Sequence, residues 1–489
     1  MKLFSFTHTT LFLAFVLVVL HTSCSSDDDV VSNPPAPTAN SDIKNFMYNG
    51  MQTFYLYKEN VPKLNDPRFP TQDRQAYATF LNDGGTPEQF YESLQDKPRD
   101  RFSFLTTNYI ELEKQFQGTT KIDGIEFLLS RFARNDDRVL GVVTRTVKGS
   151  DAETKNVKRG MLFTEINGQQ LTVQNFGDLL FSDNPKTYTW VTGGIVDGSV
   201  AVEPTGETTE LVPTEITENP VILTKTFDVN GQKVGYLFYD SFVGNFDLQL
   251  NEAFGQLKSE GATDLILDLR YNGGGSVRSA IRLASMISGL KEDAVFSREV
   301  WNKERQAEIE EQFPERLTNT FVSEIETDGG KVAINALNTK NLYVISTGRT
   351  ASASELIING LSPLMKVKQV GDSTSGKHQA SITLYDSENF RRQGANPNHT
   401  YAIQPLVLRS VNSSGEGNYD DGLFVNGSIE QRESFFDMGT LGDEEEPLLK
   451  AALENIATGA KPAAEKSLVR FEVLGESGMN SPIYQHMYK

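Results

Sequence analysis

Two turns in this 489-residue chain combine small residues with side chains able to do chemistry. The first is Asp268-Leu269-Arg270-Tyr271-Asn272-Gly273-Gly274-Gly275, where an apolar strand-like run ends in three glycines ahead of a helix-like stretch. Glycines there permit positive φ and close backbone approach, so free N–H groups can face a ligand. The second is Thr347-Gly348-Arg349-Thr350-Ala351-Ser352-Ala353-Ser354-Glu355, leading into the apolar Leu356-Ile357-Ile358. Ser352 and Glu355 have the S-x-x-E spacing of a helix capping box. The same position suits a nucleophile, because a serine between a strand and a helix exposes its Oγ while the Ala353 N–H points out of the helix start toward developing negative charge. Local sequence leaves both roles open.

A serine nucleophile needs a base. Past the first 24 residues the histidines are His378, His399 and His486, and none has neighbours that mark it as a triad member. Lys377, at the end of Val370-Gly371-Asp372-Ser373-Thr374-Ser375-Gly376-Lys377, sits at another strand-to-turn junction. Its amine can act as a base only if burial lowers its pKa from about 10.4 toward neutrality; otherwise it is a solvated surface lysine. His378, one residue on, projects to the opposite face if the segment is a strand. No metal site is expected, because neither H-E-x-x-H nor paired-cysteine spacing occurs, and no phosphate loop, because the glycine spacings do not fit.

The three segments together resemble the C-terminal processing, or tail-specific, serine peptidases, whose signature is D-L-R-x-N-x-G-G, then S-A-S-E, then a G-K lysine 25 positions after the serine. Asp268 to Gly275, Ser352 to Glu355 and Gly376-Lys377 match in order, and Lys377 follows Ser352 by 25 positions. The resemblance implies a crotonase-like catalytic core with Ser352 as nucleophile, Lys377 as base, Gly274 and Ala353 as oxyanion-hole amides, Glu355 as support and no cofactor. Ser381 stands where many members have glutamine, although Gln379 is near. The rivals are a non-catalytic peptide- or ligand-binding protein of the same fold and an acyl-CoA enzyme; export, argued below, speaks against the second, since CoA is cytosolic.

The rest of the chain must position these groups. Leu11 to Leu20 is an apolar run too short to span a bilayer, followed by Cys24, the only cysteine. This resembles a lipoprotein signal, with His21 where leucine is usual three residues before the cysteine, and implies lipidation at Cys24 and export to the cell envelope, facing the periplasm or the outside. The expected organisation is a multidomain α/β protein: signal 1–23, flexible linker 24–42, helical domain 43–116, β domain 117–220, peptidase domain 221–457 and tail 458–489. In the β domain, Lys158 to Gly168 resembles the G-D-x-I-x-x-I-N-G signature of a PDZ domain, with Met161 in place of Asp. Gly124, Ile125, Glu126 and Phe127 then occupy the place of its carboxylate-binding loop, implying capture of peptide C-termini by β-augmentation. The charged stretch from about Asn302 to Asp328 reads as a helical insertion. A net charge of −19 repels phosphate backbones, so nucleic acid is not an expected partner.

Overall fold

The computed structural model describes residues 39–197, 199–460 and 471–489. The expected signal and Cys24 lie outside the described residues. The architecture is multidomain α/β.

At its centre lies a six-stranded sheet in the order Val221–Val229, Gln232–Tyr239, Asp264–Asp268, Asn341–Ser346, Lys366–Gly371, Ile429–Glu430. The first pair is antiparallel and the remaining pairs are parallel. The run from Leu265 is apolar throughout because helices cover both faces. Leu265 and Leu267 pack with the helices Asp247–Ser259, Val277–Ser288 and Ala353–Leu361. Ile266 points the other way, to the cluster that holds Leu448 and Leu449 of the helix Pro447–Thr458.

A second six-stranded sheet runs Gly275–Ser276, Met487–Tyr488, Gln379–Ser381, Leu406–Asn412, Val295–Trp301, Thr318–Thr320. It carries the segment that follows Lys377. A third sheet is built on Ile125–Arg131, Val139–Thr146, Leu162–Ile166, Lys186–Val196 and Ser199–Leu211, with Val473–Glu476 on its outer edge. Its apolar residues close over their own core of Phe127, Phe163, Tyr188 and Trp190.

The N-terminal helices Ala39–Phe54, Arg74–Asp83 and Pro87–Glu92 form a separate aromatic core that also takes in Leu384 and Ile403. Three expectations are adjusted. The first helix starts at Ala39, inside the expected linker, because its buried Ile43, Phe46 and Met47 need the preceding turn to complete their face. Only Lys303–Gln312 and a short 3-10 turn of the expected insertion are helical; Glu324–Thr327 and Gly330–Ala333 form a hairpin. The described part of the expected tail, 471–489, is built into the fold: it adds a strand to each of two sheets and buries Met487 completely.

Candidate active site

The turn after Asp268 and the turn before Ala353 are stitched together. The Ala351 N–H donates to the Asn272 carbonyl at 3.1 Å, the Ser354 hydroxyl donates to the same carbonyl at 3.0 Å, and Thr350 Oγ1 donates to the Leu269 carbonyl at 2.8 Å. Gly274 has φ +109, and a Cβ there would lie 2.6 Å from Ser352 Cβ, so only glycine lets the loop lie against the serine. The Gly274 N–H is held by Asn272 Oδ1 at 2.8 Å. Ala353 is the first residue of its helix, a position whose N–H has no intrahelical acceptor.

Ser352 itself is strained, with φ 59 and ψ −113. Such a backbone costs roughly 1–3 kcal/mol and persists only where its surroundings over-determine it. Glu355 supplies much of that constraint. Its Oε2 accepts from the Ser352 N–H at 2.7 Å and from the Lys377 N–H at 2.8 Å. Oε1 accepts from Thr374 Oγ1 at 2.6 Å and the Gly376 N–H at 2.7 Å. One buried carboxylate therefore fixes the backbones of both Ser352 and Lys377. Burial pushes its pKa up, against the lowering effect of these four donors. Gly376, at φ +90, allows the turn to press against the Asp420 carbonyl.

The Lys377 side chain is fully buried. Burial lowers its pKa to about 7, opposed by the charges of Asp100 and Glu355. Among the described residues no carboxylate hydrogen-bonds its amine. Nζ lies 2.8 Å from the Gln485 carbonyl oxygen, 3.1 Å from His486 Nδ1 and 4.3 Å from the centre of the Phe102 ring. The Ser352 hydroxyl donates to the same Gln485 carbonyl at 2.7 Å. Ser352 and Lys377 thus converge on one oxygen atom. His486 Nε2 is 2.7 Å from Ser381 Oγ, and burial followed by the nearby Lys377 drives its pKa well below the ordinary imidazole value. His378 turns away to Asp420, 2.8 Å from Oδ1, although Lys377 and His378 both precede the strand Gln379–Ser381. Gln379 bonds to Tyr57 and His378 and does not reach Lys377.

The chemistry available is that of a strained serine beside an amine near neutrality, with N–H groups at the turn. Ser352, Lys377, Glu355, Gly274 and Ala353 come together. Ile125, Glu126 and Phe127 begin the strand Ile125–Arg131 of the third sheet, with Gly124 just ahead of it, and Ile125 and Glu126 line a cleft of about 680 Å³ that Gly274 and Gln485 also line. Glu126 there pairs with the buried Arg145 at 2.9 Å. Phe102, Asp100, Gln485 and His486 were not singled out from sequence; they reach the site only through tertiary packing, and a stray histidine carries no local mark.

Comparison with known proteins places these residues in context. Residues 233–394 match the model described as Peptidase family S41, and residues 42–104 match the Peptidase S41 N-terminal domain. A carboxyl-terminal-processing protease of Picosynechococcus sp. is 29% identical over 167 residues, 33% of this chain and 34% of that protein. A Staphylococcus aureus (strain COL) protein named as a CtpA-like serine protease is 22% identical over 326 residues, 66% of this chain and 57% of its own length. The chain therefore spans about a third of the cyanobacterial relative and little over half of the staphylococcal one. The crystal structure of a Bacteroides fragilis NCTC 9343 protein assigned to the S41 proteases superimposes with a TM-score of 0.62 at 23% identity, covering 85% of this chain and 97% of that one. That likeness is one of fold.

Proposed function

The chain belongs to peptidase family S41, and we propose that it is a serine endopeptidase acting on exported proteins or peptides through an acyl-enzyme, with Ser352 as nucleophile and Lys377 as general base. The observation that carries this is a fully buried lysine with its pKa near 7 and no carboxylate partner among the described residues, sharing one hydrogen-bond acceptor with a strained serine.

Neutral Lys377 takes the Ser352 proton as Oγ attacks a peptide carbonyl carbon. The Ala353 N–H, at the positive end of its helix, stabilises the oxyanion, joined by the Gly274 N–H once it turns from Asn272. The resulting ammonium protonates the leaving amine, and water, deprotonated by the same lysine, releases the acyl group. Glu355 holds nucleophile and base in register without touching substrate. The central sheet is read as the crotonase-like core. The third sheet is read as PDZ-like, capturing C-terminal tails along the strand Ile125–Arg131. Cys24 is read as the lipid-anchor site of an exported protein, and among the described residues no helix is long and apolar enough to cross a membrane.

Cleavage of an unfolded protein substrate tests the assignment. Ser352→Ala and Lys377→Ala should each lower kcat/KM by about 10³-fold or more, since members of such a unit fail together. Cleavage equal to that of the unaltered chain in both folded variants contradicts it.

A further inference from the structure

One segment lies along both places where the proposed function puts a substrate. Val473–Glu476 pairs antiparallel with the strand Ile125–Arg131, Val473 opposite Ser130 and Glu476 opposite Leu128. Ser477 continues along that edge: its N–H donates to the Phe127 carbonyl at 3.1 Å, and its Oγ accepts from the Phe127 N–H at 3.3 Å. This is how an added peptide strand would lie. The chain then crosses the cleft, and Met487–Tyr488 inserts between Gly275–Ser276 and Gln379–Ser381, parallel to both. Between these two strands Gln485 reaches the catalytic pair.

The contact there is that of an occupant and not of a substrate in position to react. It is the carbonyl oxygen of Gln485 that faces Ser352 Oγ, at 2.7 Å, and Lys377 holds the same oxygen. Acyl transfer requires the carbonyl carbon to face the nucleophile and its oxygen to face the backbone N–H groups. Gln485 also adopts φ 50, so its backbone departs from the extended form of a strand-paired peptide. With its proton engaged by that oxygen, Ser352 makes no bond to Lys377. Ion pairs hold the segment at both ends: Glu476 to Arg349, and Lys489 to the buried Glu299 at 2.7 Å.

We propose that residues 471–489 form an intramolecular stopper that keeps this chain latent, occupying the peptide-capture edge and the catalytic pair at once until a competing peptide displaces it. This rests on the reading of Ser352 and Lys377 as the dyad and of the strand Ile125–Arg131 as the peptide-capture edge. The stopper defines a continuous lane from Ser130 to Ser381, so the occupant that displaces it is an extended peptide able to pair with both sheet edges. His486 leaves with the stopper, which makes its contact to Lys377 part of the latent state and not of turnover.

The test measures the rate at which a fluorophosphonate probe labels Ser352 in four proteins: the full chain, a chain lacking residues 471–489, a Glu476→Ala/Lys489→Ala variant, and Ser352→Ala as the blank. The double variant keeps Met487 in its core position, so it remains informative if the shortened chain fails to fold. Labelling should be at least about tenfold faster in the double variant than in the full chain, because apparent reactivity scales with the fraction of molecules whose site is open. It should be faster again in the shortened chain if that chain folds. Equal rates in the full chain and the double variant overturn the stopper and leave the dyad standing. Loss of residues 486–489 from the full chain but not from Ser352→Ala makes the segment a substrate and also overturns it. Labelling no greater than the blank in every protein overturns the dyad and the stopper with it.

Discussion

Two cations are completely buried among the described residues, Arg270 and Lys377, and their surroundings could hardly differ more. Arg270 meets Asp268 at 2.7 Å and Glu446 at 2.6 Å, with Glu433 at 3.1 Å, and Glu433 also binds Arg159 and Tyr271. Burial works against its charge, yet the Asp268 and Glu446 carboxylates hold its pKa well above the ordinary value. Lys377 meets a backbone carbonyl, a neutral imidazole and an aromatic face, and burial takes its pKa to about 7. A buried charge with matched carboxylates becomes structure; a buried amine without them becomes a base. The two lie in neighbouring parts of one site, because the Arg270 carbonyl also accepts from Thr347 Oγ1, in the turn that leads to Ser352.

The contrast can be broken first at the level of stability. Arg270→Met leaves the buried Asp268 without its cation and Glu446 with only Arg159 at 4.0 Å, and should cost roughly 3–5 kcal/mol in chemical denaturation at pH 7. Lys377→Met removes an amine that burial penalises and should leave stability at pH 7 within about 1.5 kcal/mol of the unaltered chain. Equal losses would mean that both cations serve the fold alone. The pH dependence follows from the sign of the shift. The folded pKa of Lys377 lies below its unfolded value, so between about 7 and 10.5 the unfolded chain binds more protons, and stability relative to Lys377→Met should rise with pH across that window.

Next in size is Glu355→Gln, which keeps shape but replaces an acceptor of four hydrogen bonds with a group that must turn an NH2 toward two of the donors. A loss of about 1–3 kcal/mol, seen mainly in kcat, is expected. A loss confined to KM would contradict its place as the fixture of Ser352 and Lys377. The smallest effect is that of Asp100→Asn. Asp100 is the largest of the charges that raise the Lys377 pKa against burial, so its removal should move the activity midpoint to lower pH. A shift to higher pH would contradict the electrostatic assignment.

Much of this site was legible in the sequence. The apolar run before Asp268 has no alternation because both faces are covered, and the small residues around Ser352 mark a crowded junction. The spacing of Ser352, Glu355 and Lys377 survives in the fold because Glu355 ties the two turns together within one helix start. Asp100 and Phe102 were not legible, since they arrive from the N-terminal helical region and nothing near them in sequence announces a lysine neighbour. The segment 471–489 reads as a tail in the sequence for the same reason. Val473-Leu474-Gly475-Glu476 is too short to declare itself a strand, and its order comes from two edges supplied by distant parts of the chain.

The central claim is that Lys377 is the neutral base of Ser352. Its most direct test is the rate of Ser352 labelling by a fluorophosphonate from pH 5.5 to about 9, run on the Glu476→Ala/Lys489→Ala protein and on the same protein carrying Lys377→Met. The account predicts a rate that rises with pH through one midpoint near 7, set by the Lys377 amine, and a low, flat profile once Lys377 is replaced. The same rising profile in the Lys377→Met protein would contradict it.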